Sequence, residues 1–245
     1  MITFIIFRES SVFSITETGG LYRFSMAVCD RNRFFAGNDV MNLLLIRHAE
    51  TEWNRGGLIQ GHHDSALTAR GLQETTALLT ALAHEFPSVD AVYTSPAGRA
   101  RHMGDAIASH FRCPLSVEPL LREQAFGDYE GLSRVQLQRD EPLSAEALFS
   151  TDALFTPPGG ESLAYAAQRL LSFIQNDLAA TSHATCCVVT HGHILQGALA
   201  LLKDGNIDNF PRYAQPNASY ARLTFTADRC DVIQWGIATH LRHLS

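Results

Sequence analysis

The stretch LLLIRHAETEWN, residues 43–54, runs four apolar residues directly into Arg47 and His48 and then turns polar. A short, wholly apolar run of this kind predicts a strand over 42–47 that is buried on both faces. Such strands are typical of parallel sheets that are covered by helices. Because ligands bind outside the carboxyl ends of strands in these sheets, the arginine and the histidine stand where chemistry is expected.

Strand and helix patterns alternate from Met41 onward, and two β-rich segments close the chain. This order predicts an α/β fold of three αβα layers, with a doubly wound, mostly parallel sheet and an antiparallel edge strand. Between the elements lies a long irregular stretch, 119–161, with short helices and the breaker PPGG. The expected strands are 42–47, 89–95, 115–118, 185–191, SYARLTF and DVIQWGIAT; the expected helices are 69–86, 98–111, 162–180 and one beginning at HILQGALALL.

The first forty residues differ in composition from the rest. Residues 1–40 hold six of the fourteen phenylalanines, none of the eleven histidines and one leucine, and Met41 then precedes the first predicted strand. We therefore divide the chain into an N-terminal extension, 1–40, and one α/β domain, 41–245. The extension is interpreted as translated upstream sequence before a natural start at Met41, or as a disordered segment. Extra strands packed on the domain are the alternative.

Composition excludes several classes of protein. The formal charge is −6 with no run of lysine or arginine, which argues against a nucleic-acid surface or a polybasic membrane patch. No apolar stretch approaches the roughly 18 residues of a membrane span. Five cysteines form no C-x-x-C pair or zinc spacing, so we expect reduced thiols and a cytoplasmic location. A homodimer is compatible with these features.

Four predicted strand ends carry residues that suit phosphate chemistry. Each residue taken alone is better explained as a surface charge or a packing residue. Their coincidence at one edge of the predicted sheet favours a site. They are Arg47 and His48, then Ser95 and Pro96 leading to Arg99, then Glu123, and finally His191, Gly192 and His193.

These residue types together can transfer a phosphoryl group. Arginine presents paired donors that fit phosphate oxygens, and a neutral imidazole can attack phosphorus. Nearby guanidinium charges keep that imidazole neutral, and a second histidine can stabilise developing charge. A carboxylic acid beside a phosphate dianion can donate a proton to the leaving oxygen. The set needs no metal, and we expect no cofactor.

The motifs RHAETEWN, IQGHHDSALTARG, TSPAGRA, LREQAFGDYEG, PPGGES and VVTHGH occur in this order across 41–245. Together they resemble the histidine phosphatase superfamily, in the branch that contains cofactor-dependent phosphoglycerate mutases and related small-molecule phosphatases. The resemblance implies that His48 is the phosphorylated nucleophile and Glu123 the proton donor. It implies a phosphate pocket formed by Arg47, Arg99 and His191, with substrate-binding positions at Asn54, Gln60, Gly61 and Gly192.

The chain departs from the family pattern at a few positions. Ala49 stands where the family usually has glycine after the Arg-His pair. Three further histidines, His62, His63 and His193, are expected near the mouth of the site as polar rim residues, with contact to substrate as the alternative.

We expect a metal-independent phosphatase that hydrolyses small phosphorylated metabolites through a phosphohistidine on His48. The alternatives are a cofactor-dependent phosphoglycerate mutase and a non-catalytic module that binds phosphorylated ligands. A metallohydrolase is disfavoured because two arginines would repel a divalent cation from ligands such as His62, Asp64 and His191. Phosphatase is favoured over mutase because 131–160 is short for a closing lid and is broken by proline and PPGG. The sequence of that stretch does not identify the substrate.

Overall fold

The computed structural model describes residues 3–8, 11–18, 21–26, 40–225 and 230–244, with side chains from residue 40 onward. Three strands near the N-terminus pair antiparallel in a sheet of their own: β1 (Thr3–Arg8), β2 (Ser11–Thr18) and β3 (Leu21–Met26). Whether the natural chain begins at Met41 stays a prediction. In the described part of the chain, no helix is both long enough and apolar enough to span a membrane.

The main sheet has six strands in the order β6-β5-β7-β4-β8-β9. Strands β6, β5, β7 and β4 are parallel, whereas β8 pairs antiparallel with both β4 and β9. The predicted fold class is confirmed, and the antiparallel part of the sheet comprises a pair of strands at one edge. The strands are β4 (Met41–Arg47), β5 (Ala91–Thr94), β6 (Leu115–Val117), β7 (Thr185–Thr190), β8 (Tyr220–Phe225) and β9 (Cys230–Ile237).

Helices cover both faces of this sheet because the middle positions of the central strands β4 and β7 are apolar on both sides. In β4, Leu43 and Leu45 pack with α6 and α7 on one face, whereas Leu44 and Ile46 pack with α2 and α3 on the other. This two-sided burial is what the apolar run at 43–46 predicts. The helices are α1 (Glu52–Arg55), α2 (Ala69–Glu85), α3 (Gly98–Phe111), α4 (Arg134–Asp140), α5 (Pro142–Glu146), α6 (Leu163–Ser172) and α7 (Gly192–Asp204).

Local signals explain where the helices begin and end. The Thr68 side chain accepts a hydrogen bond from the Gly71 amide and starts α2, which ends just before Pro87. The short helix α1 was not predicted, although Thr51 and Asn54 form a reciprocal capping box there. The helix expected over 162–180 becomes π-helical after α6, from Phe173 to Leu178.

Residues 131–160, called the cap segment below, form short helices apart from the sheet. They comprise α4, α5 and a π-helical turn, Ala147–Thr151. Leu137, Ala145 and Leu148 of this segment share a small apolar cluster with Ile59 and others outside it. The cap segment therefore packs in part on the loops that follow β4 and β6, through a cluster separate from the two large cores.

Candidate active site

His48 follows β4 and is almost completely buried, with 3% of its surface exposed. Its Nδ1 lies 2.8 Å from the carbonyl oxygen of Ala49. A carbonyl oxygen can only accept, so Nδ1 carries the proton and Nε2 keeps its lone pair. The backbone therefore fixes the ring in the tautomer that a nucleophilic imidazole requires.

Arg99, near the start of α3, is the charged group closest to that lone pair. Its Nε donates to His48 Nε2 at 3.3 Å. Its Nη2 donates to the Gly61 carbonyl at 2.8 Å, and its Nη1 donates to the His63 carbonyl at 2.6 Å and to Asp64 at 3.0 Å. These bonds hold a fully buried guanidinium in one orientation.

Arg47 lies against the first turn of α7. Its Nη1 donates to the Gln215 carbonyl at 2.6 Å, while its buried Nε has no hydrogen-bond partner among the described residues. A Cβ at Gly192 would lie 3.0 Å from that Nε, so glycine permits this close approach. Burial, partly opposed by Glu123, lowers the pKa of Arg47 to about 10, and the side chain remains a cation at neutral pH.

His191, which lies between the end of β7 and the start of α7, is adjacent to His48. Its ring centroid lies 5.2 Å from that of His48, and its Nε2 lies 2.7 Å from Ser95 Oγ. Its Nδ1 is buried and has no partner among the described residues. Of the two ring nitrogens, only Nε2 is therefore hydrogen-bonded within the described part of the chain.

Both histidines are held neutral. Burial, then the charges of Arg99 and Arg47, lower the pKa of His48 well below its usual value. Burial and Arg99 likewise lower the pKa of His191. A neutral imidazole is the nucleophilic form, so this environment suits His48 for attack on phosphorus.

Glu123 is bound to the N-terminus of α7. Its Oε1 accepts from the amides of Ile194 at 2.8 Å and Gln124 at 3.0 Å, and its Oε2 accepts from the His193 amide at 3.0 Å. His191, the N-cap residue, makes no side-chain capping bond, so the Glu123 carboxyl group satisfies amides of the first turn instead. This fixes Glu123 on the helix that follows His191.

The loop that carries Glu123 is positioned by Arg169 of α6. The Arg169 guanidinium donates to the carbonyls of Leu120 at 2.8 Å, Arg122 at 3.0 Å and Glu123 at 3.3 Å. It is also paired with Glu161 at 2.7 Å. Sequence reasoning missed Arg169, because its partners are backbone atoms some 46–49 residues earlier in the chain.

Asn54 and Gln60 meet at the side chain of Thr51. Gln60 Nε2 donates to Thr51 Oγ1 at 2.7 Å, and Asn54 Oδ1 accepts from Thr51 Oγ1 at 3.1 Å. Asn217 bridges Asn54 to the His48 carbonyl, with both distances 3.0 Å. Asn54, Gln60 and the backbone of His48 thus belong to one hydrogen-bond network.

The three additional histidines occupy different environments. His62 borders the cleft and bonds the Glu123 carbonyl at 3.0 Å, and the exposed His63 pairs with Glu130 at 2.6 Å. The expectation of a rim position is wrong for His193, which is 5% exposed and packs among aromatic rings. Burial and the charge of Arg134 lower the pKa of His193 to about 3.

A small cleft of about 210 Å³ opens at this end of the sheet. The described residues include no group of three or more His, Cys, Asp or Glu side chains arranged to hold a metal ion. Of the predicted site residues, Gly61, Glu123 and His191 line the cleft directly, and His48 and Arg99 adjoin His191 and Gly61. The lining residues are Gly61, His62, Asp64, Ser95, Pro96, Ala97, Gly98, Arg122, Glu123 and His191.

Residues 43–238 match the family described as the histidine phosphatase superfamily, branch 1. The chain belongs to this superfamily. The match covers all the residues that form the cleft and the buried side chains beneath it.

Several members of the superfamily are similar over most of this chain. The metal-independent phosphoserine phosphatase of Arabidopsis thaliana is 35% identical over 65% of this chain and 67% of its own length. The glucosyl-3-phosphoglycerate phosphatase of Mycolicibacterium vanbaalenii is 30% identical over 75% of this chain and 84% of its own. The structure of Bacillus stearothermophilus YhfR aligns with a TM-score of 0.76 at 28% identity, covering 82% of this chain and 99% of that one. Other similar proteins carry phosphoglycerate mutase in their names.

Proposed function

We propose that this protein is a metal-independent phosphatase that hydrolyses small phosphomonoesters through a phosphohistidine on His48. The observation that carries the proposal is the state of the His48 ring. Its Nδ1 proton is held by the Ala49 carbonyl, and its unprotonated Nε2 accepts a hydrogen bond from the Arg99 guanidinium. A nucleophile and a phosphate-binding cation therefore share one buried position.

In the first step the Nε2 lone pair attacks phosphorus, and the bond from phosphorus to the ester oxygen breaks. The guanidinium groups of Arg47 and Arg99 and the His191 ring stabilise the charge on the non-bridging oxygens. Glu123 gives its proton to the departing oxygen, so the alcohol leaves neutral. The product is phosphohistidine and a free alcohol.

In the second step a water molecule attacks the phosphohistidine. Glu123, now a carboxylate, takes a proton from this water, and the bond between phosphorus and nitrogen breaks. Phosphate leaves, and His48 recovers its lone pair. Glu123 ends this step protonated again, so the cycle closes without a metal or an added cofactor.

The hydrogen bonds of Glu123 differ between its two oxygens, and this difference supports one of them as the oxygen that transfers the proton. Oε1 accepts two amide hydrogens, from Ile194 and Gln124, whereas Oε2 accepts one, from His193. A carboxyl oxygen offers about two lone-pair positions, so Oε2 retains one. We assign the transferred proton to Oε2.

The remaining predicted positions support binding of the phosphate. Gly61 lines the cleft with a positive φ of 54°, and a Cβ there would collide with Glu130. Gln60 and Asn54 have their side chains fixed through Thr51, which orients their remaining amide hydrogens before substrate arrives. Gly192 places the first turn of α7 against Arg47.

The openness of the cap segment supports hydrolysis over mutase activity. A mutase must exclude water from its phosphohistidine while the bound product reorients in the active site. Here α4 and α5 expose Val135 and Leu143 by 80% and 81%, and a groove of about 550 Å³ lies open between the short helices. The similar enzymes from Arabidopsis and Mycolicibacterium are named as phosphatases, which agrees with this choice.

The experiment is a phosphate-release assay on a panel of phosphomonoesters. We expect release that survives EDTA and is blocked by vanadate, since arginine and imidazole stabilise the charge. Loss of release on chelation, restored by zinc or manganese, would contradict the metal-independent mechanism. With 3-phosphoglycerate and 2,3-bisphosphoglycerate, isomerisation much faster than any phosphate release would instead identify a mutase.

We also propose a cytoplasmic location. Its support is that Cys113, Cys186, Cys187 and Cys230 are free thiols, as is typical of a reducing compartment. Recovery of the tagged protein mainly in the cytosolic fraction is expected, and enrichment in a secreted fraction would overturn it.

A further inference from the structure

Ser95 is a residue of the cleft whose hydroxyl group has no part in the steps of phosphoryl transfer. Its amide donates to the Val189 carbonyl of β7 at 3.0 Å, which fixes Ser95 beside the end of that strand. His191 follows Val189 by two residues, and its Nε2 lies 2.7 Å from Ser95 Oγ. Ser95 and His191 are both fully buried, and both line the cleft.

The hydroxyl oxygen of Ser95 already accepts one hydrogen bond. Pro96 has no amide hydrogen, so the next amide along the chain is that of Ala97, which donates to Ser95 Oγ at 3.3 Å. A hydroxyl group has one hydrogen and two lone pairs. The hydrogen therefore remains to be donated, and the acceptor that the described residues place within reach of it is His191 Nε2.

The His191 ring carries one proton, because burial and the charge of Arg99 lower its pKa and keep it neutral. If that proton were on Nε2, the ring would donate to Ser95, and the hydroxyl hydrogen and Nδ1 would both lack a partner among the described residues. If it is on Nδ1, Ser95 donates to Nε2, and the hydrogen on Nδ1 is the one left unpaired. Each unpaired buried polar group costs free energy, so the second arrangement is favoured.

We propose that Ser95 is a positioning residue that holds the His191 proton on Nδ1, so that His191 meets the transferred phosphoryl group as a hydrogen-bond donor. The second part rests on the proposed function, because it takes the phosphoryl group to lie at His48, whose ring centroid is 5.2 Å from that of His191. A hydrogen on Nδ1 stabilises a phosphate oxygen, whereas a lone pair there would repel it.

The two histidines of the site then share one tautomer but are fixed by opposite kinds of partner. The Ala49 carbonyl accepts from Nδ1 of His48, which leaves the lone pair on Nε2 for attack on phosphorus. The Ser95 hydroxyl group donates to Nε2 of His191, which leaves the hydrogen on Nδ1. One ring therefore supplies the lone pair and the other supplies a hydrogen.

The first test reads the position of the proton directly and needs no substrate. Two-bond ¹H–¹⁵N spectra of the protein with labelled histidine distinguish protonated from unprotonated ring nitrogens at neutral pH, and the variant His191→Asn identifies the His191 signals. We expect Nδ1 to be protonated in the wild type. In Ser95→Ala the proton should move, wholly or in part, to Nε2.

The matched control for the spectra is Thr75→Val, which removes a buried hydroxyl group of α2 that donates to the Gly71 carbonyl. It should keep the wild-type pattern. A proton on Nε2 of His191 in the wild type, or an unchanged His191 pattern in Ser95→Ala, would overturn the proposal. The wild-type spectrum decides the position of the proton even if a variant does not fold.

The second test measures kcat/KM for phosphate release. Ser95→Ala should lower it by about tenfold to 100-fold, less than the loss of about 10²–10³ expected for His191→Ala. Because Ser95 acts through His191, the double variant should lose no more than His191→Ala alone. Ser95→Thr, which keeps the hydroxyl group, should retain more activity than Ser95→Ala.

A double variant whose loss equals the product of the two single losses would show that Ser95 acts independently of His191, and would overturn the proposal while leaving the phosphatase intact. If the wild type releases phosphate from no ester, the proposed function fails instead. The spectra of the free protein then decide alone whether Ser95 fixes the His191 proton.

Discussion

The carboxyl edge of the sheet and the cap segment are built in opposite ways. At the sheet edge, Arg99 and His48 are buried and fixed by backbone carbonyls from separate parts of the chain. In the cap segment, the helices are short, and Val135 and Leu143 stand exposed. The comparison teaches that the residues proposed to carry out the phosphoryl chemistry are held in place by the core, whereas the cap segment has few such constraints.

The largest expected effect follows from removing the nucleophile. His48→Ala should lower kcat by about 10⁴-fold or more, because the covalent route then has no attacking group. The matched control is His84→Ala, an exposed histidine at the end of α2, which should leave kcat unchanged. Turnover by His48→Ala within tenfold of the wild type would show that the sheet edge does not supply the nucleophile.

The next effect concerns the groups that stabilise charge at phosphorus. Arg99→Ala and His191→Ala should each lower kcat/KM by about 10²–10³, the size of one preorganised donor. Arg101→Ala serves as control, since Arg101 lies on the same helix α3 but is exposed and paired with Asp105. If the Arg101 variant lost as much as the Arg99 variant, the effect would reflect α3 as a whole rather than the site.

A smaller and selective effect is expected at the catalytic acid. Glu123→Gln should lower the rate on alkyl phosphates by about 10²-fold, because an alkoxide needs a proton to leave. On p-nitrophenyl phosphate the loss should be below about tenfold, because that leaving group needs little protonation. In this variant the glutamine NH2 group could face the His193 amide and disturb the site. Such a disturbance would slow both esters alike, so the ratio of their rates within the variant isolates the loss of the proton donor. Equal losses on both esters would remove Glu123 from the acid role.

The smallest effect is on stability and depends on pH. The pKa of His48 and that of His191 are lowered in the folded protein, so both rings stay neutral while the unfolded chain takes up protons below about pH 6.5. The free energy of unfolding should therefore fall as the pH drops below that value, by up to about 1.4 kcal/mol per pH unit for each ring. Urea unfolding of the wild type and His191→Asn between pH 7.5 and 5 measures this. The variant should show the shallower dependence, and identical dependences would contradict the neutral state of His191.

The parts predicted from sequence are those whose signals are local. The apolar run before Arg47 and the Thr68 cap each lie within a few residues of the element they define. The strand-end rule then brought His48, Arg99 and His191 together without any knowledge of contacts. At the antiparallel edge, the two closing β-rich segments were predicted as strands. Their position in the sheet depends on the pairing of β8 with β4, which the local sequence does not show.

The parts that were missed depend on contacts between distant residues. Asp64, which pairs with Arg99, lies 35 positions before it in the sequence. Arg169, which donates to the Glu123 carbonyl, lies 46 positions after it, beyond the cap segment. His193 was expected at the rim, but Phe126 and Phe149 surround its ring, and neither is near it in sequence. A polar residue next to a catalytic motif gives no local sign that aromatic rings will cover it.

The central claim is that His48 attacks phosphorus through Nε2, and the phosphoenzyme tests it most directly. The wild type is mixed with substrate, quenched in alkali within milliseconds to preserve phosphohistidine, digested and examined by mass spectrometry and ³¹P NMR. The account predicts one phosphorylated residue, His48, modified on Nε2 because Nδ1 is committed to the Ala49 carbonyl. Phosphate found on His48 Nδ1, on Ser95 or on His191, or equal labelling of His48→Ala, would contradict it.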